Sequence, residues 1–107
     1  MRQFDNQYFQ KIKASQKQIF KSLENAERDL SIAREDRFLI VRFNYAYTAL
    51  LKCGTALLQH HGYRVRSVPG HHVKILEKMS GLLKDENIMT IGNIMRSKRN
   101  KDLYDNS

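Results

Sequence analysis

The stretch LIVRFNYAYTALLKCGTALLQHHG, Leu39 to Gly62, decides the fold. Leu39, Phe43, Ala46, Leu50, Cys53 and Leu57 recur in alternating steps of four and three, the spacing of one helix face. Small residues at Ala46, Ala49 and Gly54 would let a neighbouring helix approach closely. The helix predicted over 38–61 ends against Gly62, which suits the position just past a helix C-terminus. His60 and His61 before it suit the negative end of the helix dipole.

Working outward, Phe9, Ile12, Ile19, Leu23, Ala26, Leu30 and Ala33 keep a similar rhythm, with polar Gln16 in the one missing place. A long amphipathic helix is predicted over 4–35. On the other side, Pro69-Gly70 breaks the chain before a shorter helix, 71–83. Val73, Leu76, Met79 and Leu83 form its stripe, with Ile75 and Leu82 alongside. Lys84-Asp85-Glu86-Asn87 is a polar turn, and Asp85 is placed to cap a fourth helix over 86–104. That helix carries Ile88, Ile91, Ile94 and Met95 and then turns strongly basic. No β-type alternation of useful length appears. The expected fold class is all-α: one domain over 1–107, an antiparallel up-and-down four-helix bundle. Because the first helix outruns the third and fourth, a second subunit is expected to cover part of its seam, giving a homodimer.

A chain of 107 residues has room for one modest core. Its 41% hydrophobic and 28% charged residues argue against wholesale disorder. No apolar run approaches the roughly 20 residues of a membrane span, and Met1 to Asp5 lack the apolar segment of a secretory signal. The single cysteine, Cys53, has no intramolecular partner and lies on an apolar seam, so a core position and a reduced, cytoplasmic setting are expected. The net charge of +8 is clustered: Lys11, Lys13, Lys17 and Lys21 early, Arg64 and Arg66 in the middle, Arg96, Lys98, Arg99 and Lys101 late. Such a domain attracts polyanions, either nucleic acid or an acidic protein. The plainer alternative is a solvated surface with a positive bias.

There is no phosphate loop, dinucleotide fingerprint, HExxH or CxxC pair. The four histidines form two adjacent pairs with no carboxylate or cysteine at ligand spacing, so neither a metal nor another cofactor is expected. Two segments remain. GYRVRSVPGHH, Gly62 to His72, joins the second and third helices; MRSKRNKDLYD, Met95 to Asp105, repeats Arg96, Asn100 and Tyr104 every four residues on one face. In an up-and-down bundle the third helix climbs roughly 17 Å and the fourth returns roughly 20 Å at 1.5 Å per residue. Arg64 or Arg66, His71 and His72 are then expected near the level of Arg99, Asn100 and Tyr104.

At these residues the chain resembles the HEPN superfamily, the nucleotide-binding helical bundles of prokaryotes and higher eukaryotes. The resemblance covers roughly residues 19 to 105 and rests most on GYRVRSVPGHH and RSKRNKDLYD. It implies a small helical bundle that dimerises. It also implies either a metal-independent endoribonuclease, often a toxin paired with a small nucleotidyltransferase antitoxin, or a non-catalytic relative. The superfamily's active motif is an arginine followed four to six residues later by histidine. Arg99-Asn100-Lys101-Asp102-Leu103-Tyr104 has the arginine and its polar successor but ends in tyrosine. Arg66 to His71 or His72 satisfies the spacing in the loop before the third helix instead.

That departure matters chemically. Histidine, titrating near pH 6.5, can move protons at neutral pH, whereas tyrosine, near 10, is a poor base. Arg99 and Arg66 suit phosphate by their bidentate forks, and Asn100 can orient a phosphate or a 2′-OH. The expected site is therefore Arg99, Asn100, Tyr104, His71 and His72 for any chemistry, with Arg64, Arg66, Arg96, Lys98 and Lys101 holding phosphate. Either histidine could face the arginine. The alternative is that one caps the third helix, whose N-terminus is itself an anion site, while the other packs inward. The leading functional expectation is a non-catalytic or weakly catalytic nucleotide- or RNA-binding domain of a nucleotidyltransferase-paired system. A metal-independent endoribonuclease toxin and a structural helical subunit are the alternatives.

Overall fold

The computed structural model describes residues 4–104, and side chains as far as Arg99. In chain order its elements are β1 (Phe9–Lys11), α1 (Gln16–Glu35), α2 (Leu39–His60), β2 (Tyr63–Val65), α3 (His71–Leu83) and α4 (Glu86–Tyr104). The protein is mostly helical, with four helices and a small two-stranded sheet.

The helix expected over 4–35 begins only at Gln16. Ser15 caps it reciprocally: its hydroxyl accepts the Gln18 amide at 3.1 Å, and the Gln18 side chain accepts the Ser15 amide at 2.8 Å. Gln16, the polar gap in the apolar rhythm, is therefore the first residue of the helix. Upstream the chain is extended, and β1 pairs antiparallel with β2, Phe9 opposite Val65. Phe9 is the cause: it sinks into the core beside Leu58, Ile75 and Met79. Its neighbours' backbone groups then need partners, which the β2 edge supplies. The ladder extends through Ile12 N–H to Gly62 O (2.9 Å) and Arg66 N–H to Tyr8 O (2.7 Å).

The other boundaries fall within a residue of expectation. Gly62 follows the C-cap His61 at φ 84°, and Gly70 opens α3 at φ 80°, both left-handed positions that glycine adopts without strain. The Asp85 carboxylate accepts the Asn87 amide at 3.0 Å at the start of α4.

The packing departs further from expectation than the boundaries do. α1 rests on α2 alone, while α2 also touches β2, α3 and α4, and α3 lies on α4. The buried residues of α2 are Tyr47, Ala49, Gly54, Ala56 and Leu58. None of the six residues of the predicted seam is buried, and Leu39 and Cys53 are exposed. The cause is lateral: α1 covers one flank of α2 and α3 with α4 the other, leaving the strip between them open. Cys53 is thus not a core residue, although apolar walls beside it desolvate the thiol enough to raise its pKa. Gly54 does provide close approach, to Ile75 and Met79 of α3. No helix among the described residues is long and apolar enough to cross a membrane.

Candidate functional site

On the side of α2 away from that strip lies a cavity of about 340 Å³, at the lower end of the range for small-ligand sites. Three distant pieces of chain build it. α2 contributes Tyr47, Thr48 and Lys52; the turn into α3 contributes Ser67, His71 and His72; α4 contributes Arg99.

The turn sets the two histidines. Gly70 is the N-cap of α3 and has no side chain with which to cap it. His71 instead folds back, its amide donating to Val68 O at 3.1 Å and its Nδ1 lying 2.8 Å from the same oxygen. A carbonyl only accepts, so the proton sits on Nδ1 and a neutral His71 presents Nε2 as acceptor. Among the described residues the amides of His72 and Val73 have no acceptor. The start of α3 is therefore an open, positively polarised end.

Rings and a guanidinium close over this end. The His71 and His72 rings lie 4.3 Å apart, and His72 meets Tyr47 edge-on at 6.2 Å. The Arg99 guanidinium carbon lies 5.9 Å from the Tyr47 ring. Tyr47 is only 1% exposed, and its hydroxyl has no hydrogen-bond partner among the described residues. Nearby on α4, Arg96 Nε and Asn93 Oδ1 are also buried without partners among the described residues. Burial raises the Tyr47 pKa, an effect that Arg96 and Arg99 partly offset, so the phenol remains a donor at neutral pH. Burial likewise lowers the His72 pKa, helped by His71 and Arg99. Lys52 brings little free charge, because its Nζ lies 2.6 Å from Oδ2 of buried Asp29. That contact pairs the carboxylate even though its angle is not that of a hydrogen bond.

Of the site residues expected from the sequence, His71, His72 and Arg99 come together. Arg64 and Arg66 do not join them: Arg64 Nε donates to Gln10 Oε1 at 2.8 Å and Arg66 Nε to the Asn6 carbonyl at 2.9 Å. Strand alternation explains this, since Val65 and Ser67 take the cavity side. Arg96 lies close enough to act on the charge of Tyr47, and Lys98 is exposed on α4. Asn100, Lys101 and Tyr104 belong to α4, but their side chains lie outside the described ones. The sequence reading assigned Tyr47 no role; a tyrosine one place off an apolar seam reads as core. No three His, Cys, Asp or Glu side chains among the described residues are placed to hold a metal ion.

Chemically, the cavity brings together open amides, a guanidinium, a tyrosine and two imidazoles, with no unpaired carboxylate among its lining residues. It suits an anion with several acceptor oxygens. No protein-family model, curated protein or solved structure matches the chain.

Proposed function

We propose that the chain is a HEPN-like domain that binds a phosphate of RNA or of a nucleotide in the cavity between the start of α3 and Arg99. The fold belongs with this reading as an antiparallel up-and-down bundle. One observation carries it: the uncapped helix start bearing His71 and His72 lines one cavity with Arg99 and Tyr47, whose buried hydroxyl has no hydrogen-bond partner among the described residues. An orphaned donor costs about 1–3 kcal/mol, and an anion in this cavity could satisfy it. The resemblance, rather than the geometry, adds a small nucleotidyltransferase as the protein partner.

Titration of single-stranded RNA at several salt concentrations tests this. Binding should weaken steeply with salt, and Arg99→Ala should flatten the slope by about 0.7, the share of one phosphate contact. Lys13→Ala removes the same charge far from the cavity and should leave affinity near that of the unaltered chain. Equal effects of the two substitutions would reduce the binding to general positive charge.

A second reading, metal-independent RNA cleavage, is favoured by His72. Its lowered pKa keeps the imidazole neutral near pH 7, able to accept the 2′-OH proton while Arg99 holds the phosphate. His71 beside it, as an imidazolium carrying a second proton on Nε2, would protonate the leaving 5′-oxygen. Incubation with RNA in excess chelator should then give fragments ending in 2′,3′-cyclic phosphate, and His72→Ala should abolish them. Intact RNA after prolonged incubation leaves the binding reading alone.

A further inference from the structure

We propose, resting on the phosphate reading of the cavity, that a strip of rings and lysines beside α3 extends that cavity into a track for single-stranded RNA. The protein then prefers an oligonucleotide to a free nucleotide.

His71, Lys74 and Lys78 follow one another at steps of three and four and share one face of α3. His71 lines the cavity, and from it the face runs about 10 Å to Lys78 at 1.5 Å per residue. That length holds about three nucleotides at the 3.4 Å rise of a stacked strand.

Rings from the N-terminal segment and β2 lie along this face. Lys74 Nζ sits 4.5 Å from the centre of the Tyr8 ring. Lys78 Nζ sits 4.6 Å from that of Phe4 and 5.5 Å from that of Phe9. Phe4 stacks in turn on Tyr63, 3.9 Å away and 6° from parallel. Phe9 is buried, whereas Phe4, Tyr8 and Tyr63 are half-buried, anchored by the core without being enclosed in it. Strip and cavity meet at Ile75, which lines the cavity and belongs to the cluster that Tyr8 packs against.

Aromatic rings interleaved with cations are what a single strand requires, because every base has a face to stack and every step a phosphate to pair. In the free protein each of these ammonium groups rests on a ring. At a half-exposed site that contact is weaker than a base stacked on the same ring. The flexible lysine stem lets the ammonium move from the ring to a neighbouring phosphate, so binding replaces one contact by two. The Lys74 pair with exposed Glu77, at 3.3 Å, is a surface contact and holds the lysine only weakly. Arg66 adds positive charge at the Tyr8 end, its amide donating to the Tyr8 carbonyl at 2.7 Å. A mononucleotide seated in the cavity reaches none of these groups.

Titration of the full chain with adenosine 5′-monophosphate and with tetra-adenylate RNA carrying one 2-aminopurine separates the two sites. The RNA should bind about tenfold tighter or more, and stacking should quench the 2-aminopurine. Tyr8→Leu keeps an apolar side chain and the net charge. It should weaken RNA binding about tenfold and relieve the quenching, with the salt dependence and the mononucleotide affinity unchanged. Lys74→Gln should keep full helical circular dichroism, flatten the salt slope for RNA by about 0.7 and leave the mononucleotide alone. Arg99→Ala acts in the cavity and should weaken both ligands. Tetra-adenylate that binds no tighter than the monophosphate overturns the track and leaves the cavity reading standing. So does RNA affinity indifferent to both Tyr8→Leu and Lys74→Gln. If neither ligand binds, the phosphate reading falls and the track with it.

Discussion

Arg99 of α4 and Tyr47 of α2 are 52 positions apart in sequence, yet the guanidinium carbon of one lies 5.9 Å from the ring of the other. Neither is part of the loop that carries the histidines. Their approach helps close the cavity, setting a charged fork near the ring of a buried tyrosine beside the start of α3. Only the folded chain brings this guanidinium and the buried phenol together.

Replacing Tyr47 by phenylalanine separates stability from binding. The hydroxyl is buried without a partner among the described residues, so its removal should stabilise the unliganded protein by about 1 kcal/mol. The same change should weaken RNA binding, because a donor is lost. Urea denaturation paired with an RNA titration reads both. Lower stability in the variant would show that the hydroxyl is satisfied in solution.

The His72 pKa is lowered by burial, by His71 and by Arg99, so the folded state binds its proton less readily than the unfolded chain. Stability from this group is complete above the unfolded value of about 6.5 and is lost as pH falls below that toward the folded pKa. Denaturation midpoints should drop on going from neutral to mildly acidic buffer, less so in His72→Gln. A bound phosphate favours the imidazolium, so affinity should rise over the same interval. Cleavage, which needs the neutral base, should fall. Opposite pH trends thus distinguish holding the phosphate from cutting beside it.

Two glycine substitutions should have opposite signs. A methyl group at Gly54 would collide with Ile75 and lie 2.7 Å from Met79 Sδ. β-Branched Ile75 cannot easily yield, so Gly54→Ala should destabilise by about 1–3 kcal/mol. Gly81, exposed in α3, has nothing within 4 Å. There alanine should stabilise by about 0.5–1 kcal/mol through helix propensity. Thermal unfolding of the two variants decides the matter, and equal shifts would contradict the close packing of α2 on α3.

Ser15→Ala removes the hydroxyl that starts α1 and should cost about 1 kcal/mol. An unchanged melting temperature would mean that α1 does not depend on this cap for the stability of the whole.

Much of the local structure was legible in advance. Gly62 and Pro69-Gly70 end and restart helices because left-handed glycine and the proline ring restrict the backbone wherever they occur. Asp85 caps α4 with its own carboxylate. The N-terminal strand was not legible. Phe9 and Ile12 fit a helical rhythm as readily as a strand, and only the buried site beside Leu58 and Ile75 settles where Phe9 goes. The Ser15–Gln18 capping pair was a visible local mark of the true helix start.

The site divides in the same way. His71, His72 and Arg99 stood out through residue type and through the approximate matching of two helix lengths. Arg64 and Arg66 looked equivalent to them, but the alternation of β2 and its pairing with β1 turn both toward the N-terminal segment. Tyr47 carried no mark, since an aromatic beside an apolar seam has the pattern of ordinary core. The sequence by itself determined where the second, third and fourth helices run, because caps, turns and periodicity act over a few residues. Tertiary structure alone decided which face of α2 is buried and which groups meet around α3, because those outcomes depend on how much surface the neighbouring helices cover.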